Sequence, residues 1–123
     1  DVGNYPRWGT ARLGSERKLL LRIRDYDEPL VVPVSEVIML GRYDTVTGES
    51  PHVDLTAYGA EEKGVSRRHA SIIIDDDTLK VVDMGSANAT HINGQKLIAH
   101  QARILRDGDE LRLGHLVIHI HFA

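Results

Sequence analysis

Residues 66–69, Ser-Arg-Arg-His, place a hydroxyl, two guanidiniums and an imidazole on four consecutive positions. Guanidinium and hydroxyl groups are the donors that bind phosphate and other oxyanions in proteins. An arginine in a loop is nevertheless more often simply solvated, because exposed charge is its normal state. Whether these four residues form an anion site therefore depends on the elements that position them.

Length, composition and charge limit those elements. A chain of 123 residues, 41% hydrophobic and 27% charged, suits one globular domain with one core. No apolar run is long enough to cross a membrane. The net charge of −3 argues against a nucleic-acid-binding module, so any anion recognition must be local. The absence of cysteine excludes disulfides and thiolate metal sites and is compatible with the cytoplasmic location that we expect.

The first part of the chain differs from the rest. Residues 1–17 contain glycines and a proline and show little periodicity, which predicts a linker or a loosely docked lead-in. The domain itself is expected to occupy residues 18–123. Because the chain begins with Asp and no signal-like segment precedes the domain, we expect a monomeric domain cut from a longer protein.

From residue 18 onward, short apolar runs alternate with polar residues at a period of two. Leu19, Leu21 and Ile23 would share one face of a strand, and residues 30–34 would return as its hairpin partner. Pro33 in that second strand favours a sheet edge or a bulge. The clearest alternation is at residues 116–122, where every second residue is a large apolar one.

Some ten such strands predict a β-sandwich, because alternating strands must bury their apolar faces against a second sheet. A closed barrel is the structural alternative. Residues 37–40 are apolar on both alternations, which predicts a strand buried on both sides. Residues 104–105 and 111–113 are expected to form another hairpin around the Asp107-Gly108 turn.

Strand ends and loops supply the remaining polar groups. Residues 37–40 end at Gly41-Arg42, which delivers a guanidinium at the end of a strand. The loop at residues 85–89 carries Asn88, an amide that can donate and accept at once. A turn follows at Asn93-Gly94, a dipeptide suited to positive φ.

The order of these groups resembles a forkhead-associated (FHA) domain. The chain reads Gly41-Arg42, then Ser66-Arg67-Arg68-His69, then residues 83–94 as Asp-x-x-Ser-x-Asn-x-Thr-x-Ile-Asn-Gly. The resemblance covers roughly residues 19–122. It implies an all-β, FHA/SMAD-like sandwich of about eleven mostly antiparallel strands with short or no helices. It also implies recognition of phosphothreonine in an extended segment of a partner, such as a Ser/Thr kinase or its substrate.

The resemblance assigns roles to particular residues. Arg42, Ser66 and Arg67 would bind the phosphothreonine, and Asn88 would hydrogen-bond the main chain of the ligand. His69 would be structural and hold the serine loop in shape, with Gly41, Asn93 and Gly94 also supporting the binding loops. The direction of Arg68 is open.

Two positions depart from the family pattern. Ala87 stands where some members carry a phosphate-contacting threonine, and Ala89 stands where the family usually has glycine. If position 89 needs a positive φ, alanine costs roughly 1 kcal/mol there or shifts the loop.

Other chemistries fit less well. A Ser66–His69 nucleophile pair lacks the strand-turn-helix elbow of a hydrolase, so we expect no catalytic residues and no enzyme activity. The aspartates at 75–77 lack the ligand spacing of a calcium loop, and His119 with His121 lack an evident third ligand, so neither a metal nor another cofactor is expected. The alternative function is an FHA-like protein–protein interaction scaffold that no longer depends on phosphate.

Overall fold

The structure is a computed structural model that describes residues 9–123. It contains eleven strands, numbered in chain order. These are β1 (Lys18–Ile23), β2 (Leu30–Pro33), β3 (Val37–Gly41), β4 (Val53–Asp54), β5 (Arg68–Asp75), β6 (Thr78–Asp83), β7 (Thr90–Ile92), β8 (Gln95–Lys96), β9 (Arg103–Leu105), β10 (Glu110–Leu113) and β11 (Leu116–Phe122). The only helical element within the described residues is a single 3-10 turn at Thr56–Tyr58.

The strands form two sheets that pack face to face. One has six strands in the order β2-β1-β11-β10-β7-β8, and the other has five in the order β4-β3-β5-β6-β9. Every pairing between these strands is antiparallel except β3 with β4. The predicted all-β sandwich of about eleven mostly antiparallel strands is thereby confirmed, and the closed barrel is not formed.

The core lies between the sheets and follows the predicted alternation. Leu19, Leu21 and Ile23 are at most 2% exposed, whereas their neighbours in β1 are partly or fully exposed. Ile118 and Ile120 of β11 are completely buried opposite them. Burying one such side chain is worth about 1.5 to 3 kcal/mol, so the inner faces of the adjacent strands β1 and β11 contribute substantially to the core.

Strands β2 and β3 each bear on a prediction made from the sequence. Strand β2 pairs only with β1, so Pro33 lies on a sheet edge as predicted. Strand β3 is not buried on both sides along its whole length. Its first residue, Val37, is 45% exposed, because its side chain lies on the outer face of the five-stranded sheet.

The predicted hairpin between residues 104–105 and 111–113 is wrong. Strand β9 pairs with β6 in the five-stranded sheet, while β10 pairs with β7 and β11 in the other. A tight turn carries the chain across, since the Asp109 carboxylate accepts the N–H of Arg106 over 2.7 Å. Leu105 and Leu111 are both completely buried, but on the inner faces of different sheets.

Residues 9–17 run along the sandwich before β1 begins. The N–H of Leu13 donates to the Asp77 carbonyl over 2.9 Å, and the Leu13 side chain packs against the core. Arg17 forms a 2.9 Å ion pair with Asp77. The first eight residues of the predicted lead-in lie outside the described residues. Within residues 9–123, no helix is long and apolar enough to span a membrane.

Candidate functional site

Several loops meet at one end of the sandwich. The loop after β3 contacts the loop before β5, where the N–H of Arg42 donates to the Arg67 carbonyl over 3.2 Å. The turn between β10 and β11 contacts the β6–β7 loop and the β4–β5 segment through the N–H groups of Gly114 and His115, which donate to Ala89 and Lys63. Backbone hydrogen bonds therefore tie the candidate binding loops to one another.

Gly41 allows the closest of these approaches. A Cβ atom at this position would lie 1.9 Å from the Arg67 carbonyl oxygen and 2.9 Å from that of Ser66. Both distances are far below van der Waals contact, so only glycine lets the backbone of residues 66–67 lie against the end of β3.

Arg42 extends from that strand end beneath the same loop. Its Nε donates to the Val65 carbonyl over 2.8 Å, which fixes the plane of the guanidinium. One of its terminal nitrogens, Nη1, lies 3.9 Å from the Glu61 carboxylate, and the side chain is 23% exposed. The guanidinium is thus oriented by the protein while its terminal N–H groups remain accessible.

Ser66 joins the two loops on either side of the site. Its hydroxyl oxygen accepts the N–H of Ala87 over 3.1 Å, so the serine loop and the β6–β7 loop are directly linked. The hydroxyl hydrogen stays available for a further acceptor, because the Ser66 oxygen acts as the acceptor in that bond.

Arg67, the next residue, is half-exposed. Its Nε lies 3.6 Å from the Asp44 carboxylate. The pKa of Asp44 is lowered, mainly by the hydrogen bond from the N–H of Val46. Burial opposes this effect, and the hydrogen bonds from Thr47 and the charge of Arg67 add to it. Asp44 is therefore a carboxylate under ordinary conditions and holds the Arg67 side chain at the edge of the site.

His69 is completely buried behind the serine loop. Its Nδ1 lies 2.9 Å from the N–H of Ser66, and its Nε2 lies 2.9 Å from the Ala89 carbonyl oxygen. A backbone N–H can only donate, so Nδ1 must be the acceptor and Nε2 must carry the hydrogen. Burial lowers the pKa of His69, although the Ala89 carbonyl and Asp83 oppose this.

Asn88, in the β6–β7 loop, contacts Gly64 in the segment between β4 and β5. Its Nδ2 donates to the Gly64 carbonyl over 3.0 Å, which leaves its Oδ1 and one N–H for other partners. A Cβ on Gly64, whose φ is +78°, would lie 2.6 Å from that Nδ2. Ala89 follows with φ 70°, so the position where the family usually has glycine does adopt the left-handed conformation.

Asp83 organises the β6–β7 loop and was not among the predicted site residues. Its carboxylate accepts the hydroxyls of Ser86 and Thr90 over 2.5 and 2.6 Å and the N–H groups of Gly85 and Ser86 over 3.1 and 3.2 Å. Burial tends to raise the pKa of Asp83, but these hydrogen bonds outweigh it and lower the pKa. The spacing Asp-x-x-Ser-x-x-x-Thr in the sequence could have indicated this role of Asp83.

The other predicted support residues lie away from this cluster. Asn93 follows β7 at its far end, donates through Nδ2 to Asp109 over 2.9 Å and accepts the N–H of Glu110 over 2.9 Å. Gly94 completes that turn with φ +83°. The structure thus brings Arg42, Ser66, Arg67, Asn88, His69 and Gly41 together, and it places Asn93 and Gly94 elsewhere.

A comparison with protein-family models decides the relationship. The model of the FHA domain matches residues 38–114, a range that contains Arg42, the serine loop and the β6–β7 loop. The chain belongs to the FHA domain family. The match begins at β3 and ends at the β10–β11 turn, so it spans less of the chain than the predicted resemblance over residues 19–122.

Curated relatives of this FHA domain include two bacterial proteins. The oxoglutarate dehydrogenase inhibitor of Corynebacterium glutamicum is 33% identical over 76 residues, which are 62% of this chain and 49% of that protein. Protein FraH of a Nostoc species is 32% identical over 96 residues, which are 77% of this chain and 32% of that protein. The chain spans about half the length of the first of these relatives and a third of the second.

Solved FHA domains share the fold. One, from a structural and functional analysis of phosphothreonine-dependent FHA domain interactions, superposes with a TM-score of 0.66 at 27% identity and covers 86% of this chain and 97% of its own. The N-terminal FHA domain of Saccharomyces cerevisiae Rad53p, solved with a phosphothreonine peptide, gives 0.68 at 20% identity and covers 86% and 94%. At that identity the second comparison concerns the fold alone.

Proposed function

We propose that this FHA domain binds phosphothreonine-containing segments of partner proteins in Ser/Thr-kinase signalling. The proposal rests on one observation above all. Arg42, Ser66 and Asn88 come from three separate loops, and the bonds from Arg42 to Val65, Ala87 to Ser66 and Asn88 to Gly64 link those loops into one surface.

The chemistry of that surface suits a phosphate ester. A phosphothreonine carries about −1.5 to −2 charges and three strong acceptor oxygens. Arg42 offers terminal N–H groups in a fixed plane, Arg67 offers a second guanidinium, and Ser66 offers a hydroxyl hydrogen. In this assignment the phosphate competes with the Glu61 and Asp44 carboxylates, which lie 3.9 and 3.6 Å from the two guanidiniums.

Asn88 would hold the peptide chain itself. Its free Oδ1 and its remaining N–H can pair with one peptide unit, which is the arrangement needed to bind an extended main chain beside the phosphate. The solved FHA domain at 27% identity comes from a study of phosphothreonine-dependent FHA domain interactions, which supports phosphothreonine as the ligand.

The proposed module is not an enzyme. Both ring nitrogens of His69 are engaged, one by the Ser66 N–H and the other by the Ala89 carbonyl. Neither is directed at the Ser66 hydroxyl, so this pair lacks the nucleophile–base contact that activates a serine. The proposed partner is therefore a Thr-phosphorylated protein, such as a kinase or its substrate, and no cofactor is required. The cytoplasmic location and the monomeric state remain predictions.

A phosphothreonine peptide library tests this function. The domain should bind phosphorylated peptides and not their unphosphorylated counterparts. Arg42→Ala should abolish most of that affinity with little change in melting temperature, and Ser66→Ala should reduce it less. Arg22→Ala is the matched control, because Arg22 is an exposed arginine of β1 on the other sheet.

Equal binding of both peptide forms would instead support the phosphate-independent scaffold. In that case Glu61 and Asp44 would be the permanent partners of Arg42 and Arg67, and Arg42→Ala would leave binding unchanged.

A further inference from the structure

Arg68 differs from the two arginines assigned to the phosphate. Arg42 lies near Glu61, and Arg67 lies near Asp44. Arg68 is exposed, and among residues 9–123 its side chain has no ion pair or hydrogen-bond partner. Its charge is therefore uncompensated beside the candidate site.

An irregularity in the β3–β5 ladder turns Arg68 away from the core. Leu40 pairs with Ala70, but the next residue, Gly41, pairs with Arg68, so His69 is an extra residue in β5. The bulge keeps His69 buried and places Arg68 opposite Gly41, on the outer face that also carries Met39. The alternation of a regular strand would have directed Arg68 inward, so the bulge determines the position of this cation.

Arg68 lines a cleft that continues from the phosphate surface. The cleft has a volume of about 670 Å³, and Arg42, Ser66 and Arg67 are among the residues that line it. The rest of its lining comes from β3, β5 and the loop before β4 and includes His52 and Arg68. Met39 and Pro51 make the lining partly apolar, and Glu49 is the carboxylate that a ligand would meet besides the paired Asp44.

His52 supplies a second donor to the same cleft. Its Nδ1 accepts the N–H of Met39 over 2.8 Å, so in the neutral ring the hydrogen is on Nε2. The exposed imidazole lines the same cleft as Arg68, from the opposite side of β3, and offers a second N–H donor there.

The distance to the first site is short. Arg68 is two residues after Ser66, and two extended residues span at most about 7 Å. One residue of an extended ligand spans about 3.3 Å, so the span is short enough for a group a few residues from the phosphothreonine to contact Arg68.

We propose that Arg68 and His52 form a second anion-binding subsite, which selects ligands carrying a phosphate or carboxylate group a few residues away from the phosphothreonine. This inference rests on the proposed phosphothreonine-binding function and adds a charge preference to it. The subsite contributes affinity and specificity, whereas Arg42 and Ser66 provide the dependence on phosphothreonine.

A charge scan tests the subsite. Starting from a peptide with a single phosphothreonine and neutral flanks, a glutamate and, separately, a phosphoserine are placed at each of the four positions on either side. Binding is measured with the parent domain and with Arg68→Ala, Arg68→Lys and the control Arg22→Ala. At the responsive position we expect the added anion to tighten binding about three- to tenfold in the parent and in Arg22→Ala.

Arg68→Ala should remove that gain while binding the neutral-flank peptide within about twofold of the parent, and Arg68→Lys should retain part of it. The two arms of the scan distinguish a carboxylate ligand from a phosphate ligand. A scan without a responsive position, or a gain that persists in Arg68→Ala, would overturn the subsite while leaving the proposed function intact.

Two further outcomes are equally informative. If Arg68→Ala loses the neutral-flank peptide as Arg42→Ala does, Arg68 belongs to the first phosphate site and the second subsite is refuted. If the parent domain binds no phosphothreonine peptide at all, the proposed function fails, and the subsite that rests on it fails with it.

Discussion

The N–H of Ser66 donates to Nδ1 of His69 over 2.9 Å, and this bond requires the imidazole to be the neutral Nε2–H tautomer. The opposite nitrogen then donates to the Ala89 carbonyl over 2.9 Å. One buried ring therefore bridges the serine loop and the β6–β7 loop, so the position of Ser66 and that of Asn88 depend on the same side chain.

Replacing this ring should destabilise the domain as well as weaken binding. In His69→Ala the Ser66 N–H and the Ala89 carbonyl lose their partner, and a cavity replaces a completely buried side chain. We expect a loss of about 2 to 4 kcal/mol in the free energy of unfolding. Denaturant titration measures it, with His121→Ala on the exposed face of β11 as the control. Unchanged unfolding in His69→Ala would contradict the structural role of the ring.

The same residue should make stability depend on pH. Burial lowers the pKa of His69 below its ordinary value of 6.5 in the folded domain. Below pH 6.5 the unfolded chain then binds a proton that the folded chain does not, so stability is complete above this pH and declines as the pH falls below it. Unfolding measured from about pH 7.5 to about pH 5 should show this slope.

Two other groups, His91 and Asp83, also contribute to the pH dependence of stability. Burial also lowers the pKa of His91, with Arg112 and Lys96 adding to the effect, so His91 acts in the same direction. Asp83 has a lowered pKa too, but its contribution is lost only as the pH falls below the ordinary aspartate value of 3.8. The slope should decrease in His69→Ala and, independently, in His91→Gln. A slope unchanged by His69→Ala would assign the effect to other groups.

The alternation of apolar and polar residues predicted which face of each strand is buried better than it predicted which strands pair. Leu19, Leu21 and Ile23 are buried as expected, because a period of two determines which side chains share a face. The same pattern at residues 104–105 and 111–113 could not reveal that β9 and β10 belong to different sheets. Both arrangements bury Leu105 and Leu111, and only the long-range pairing of β9 with β6 distinguishes them.

The candidate site shows a similar division. The order of the motifs indicated that Arg42, Ser66 and Asn88 belong together, and the structure places them on adjoining loops. The direction of Arg68 could not be predicted, because it depends on a one-residue bulge that changes no residue type. Contacts between distant residues, such as Glu61 with Arg42, were also beyond sequence patterns.

Glu61 should act as a weak internal competitor for the phosphate. Its carboxylate lies 3.9 Å from the Arg42 guanidinium, and its side chain is 67% exposed. An ion pair so exposed is worth about 0.2 to 1 kcal/mol, so Glu61→Gln should tighten phosphothreonine-peptide binding by about two- to threefold at low salt. The gain should shrink at high salt because the pair is screened. Glu62→Gln, the same change one residue along, is the control, and an equal gain in both would indicate a general charge effect.

The domain should be more stable with glycine than with alanine at position 89. The φ of 70° at Ala89 lies in the left-handed region, where a Cβ atom crowds the following carbonyl, and that strain is located in the loop that carries Asn88. Ala89→Gly should raise the free energy of unfolding by up to about 1 kcal/mol, since relief of strain exceeds the extra freedom that glycine gives the unfolded chain. Ala102 lies in an exposed loop and does not have a positive φ, so Ala102→Gly should instead be neutral or destabilising. Calorimetric unfolding of the two variants compares them directly, and a destabilised Ala89→Gly would show that the loop tolerates alanine without strain.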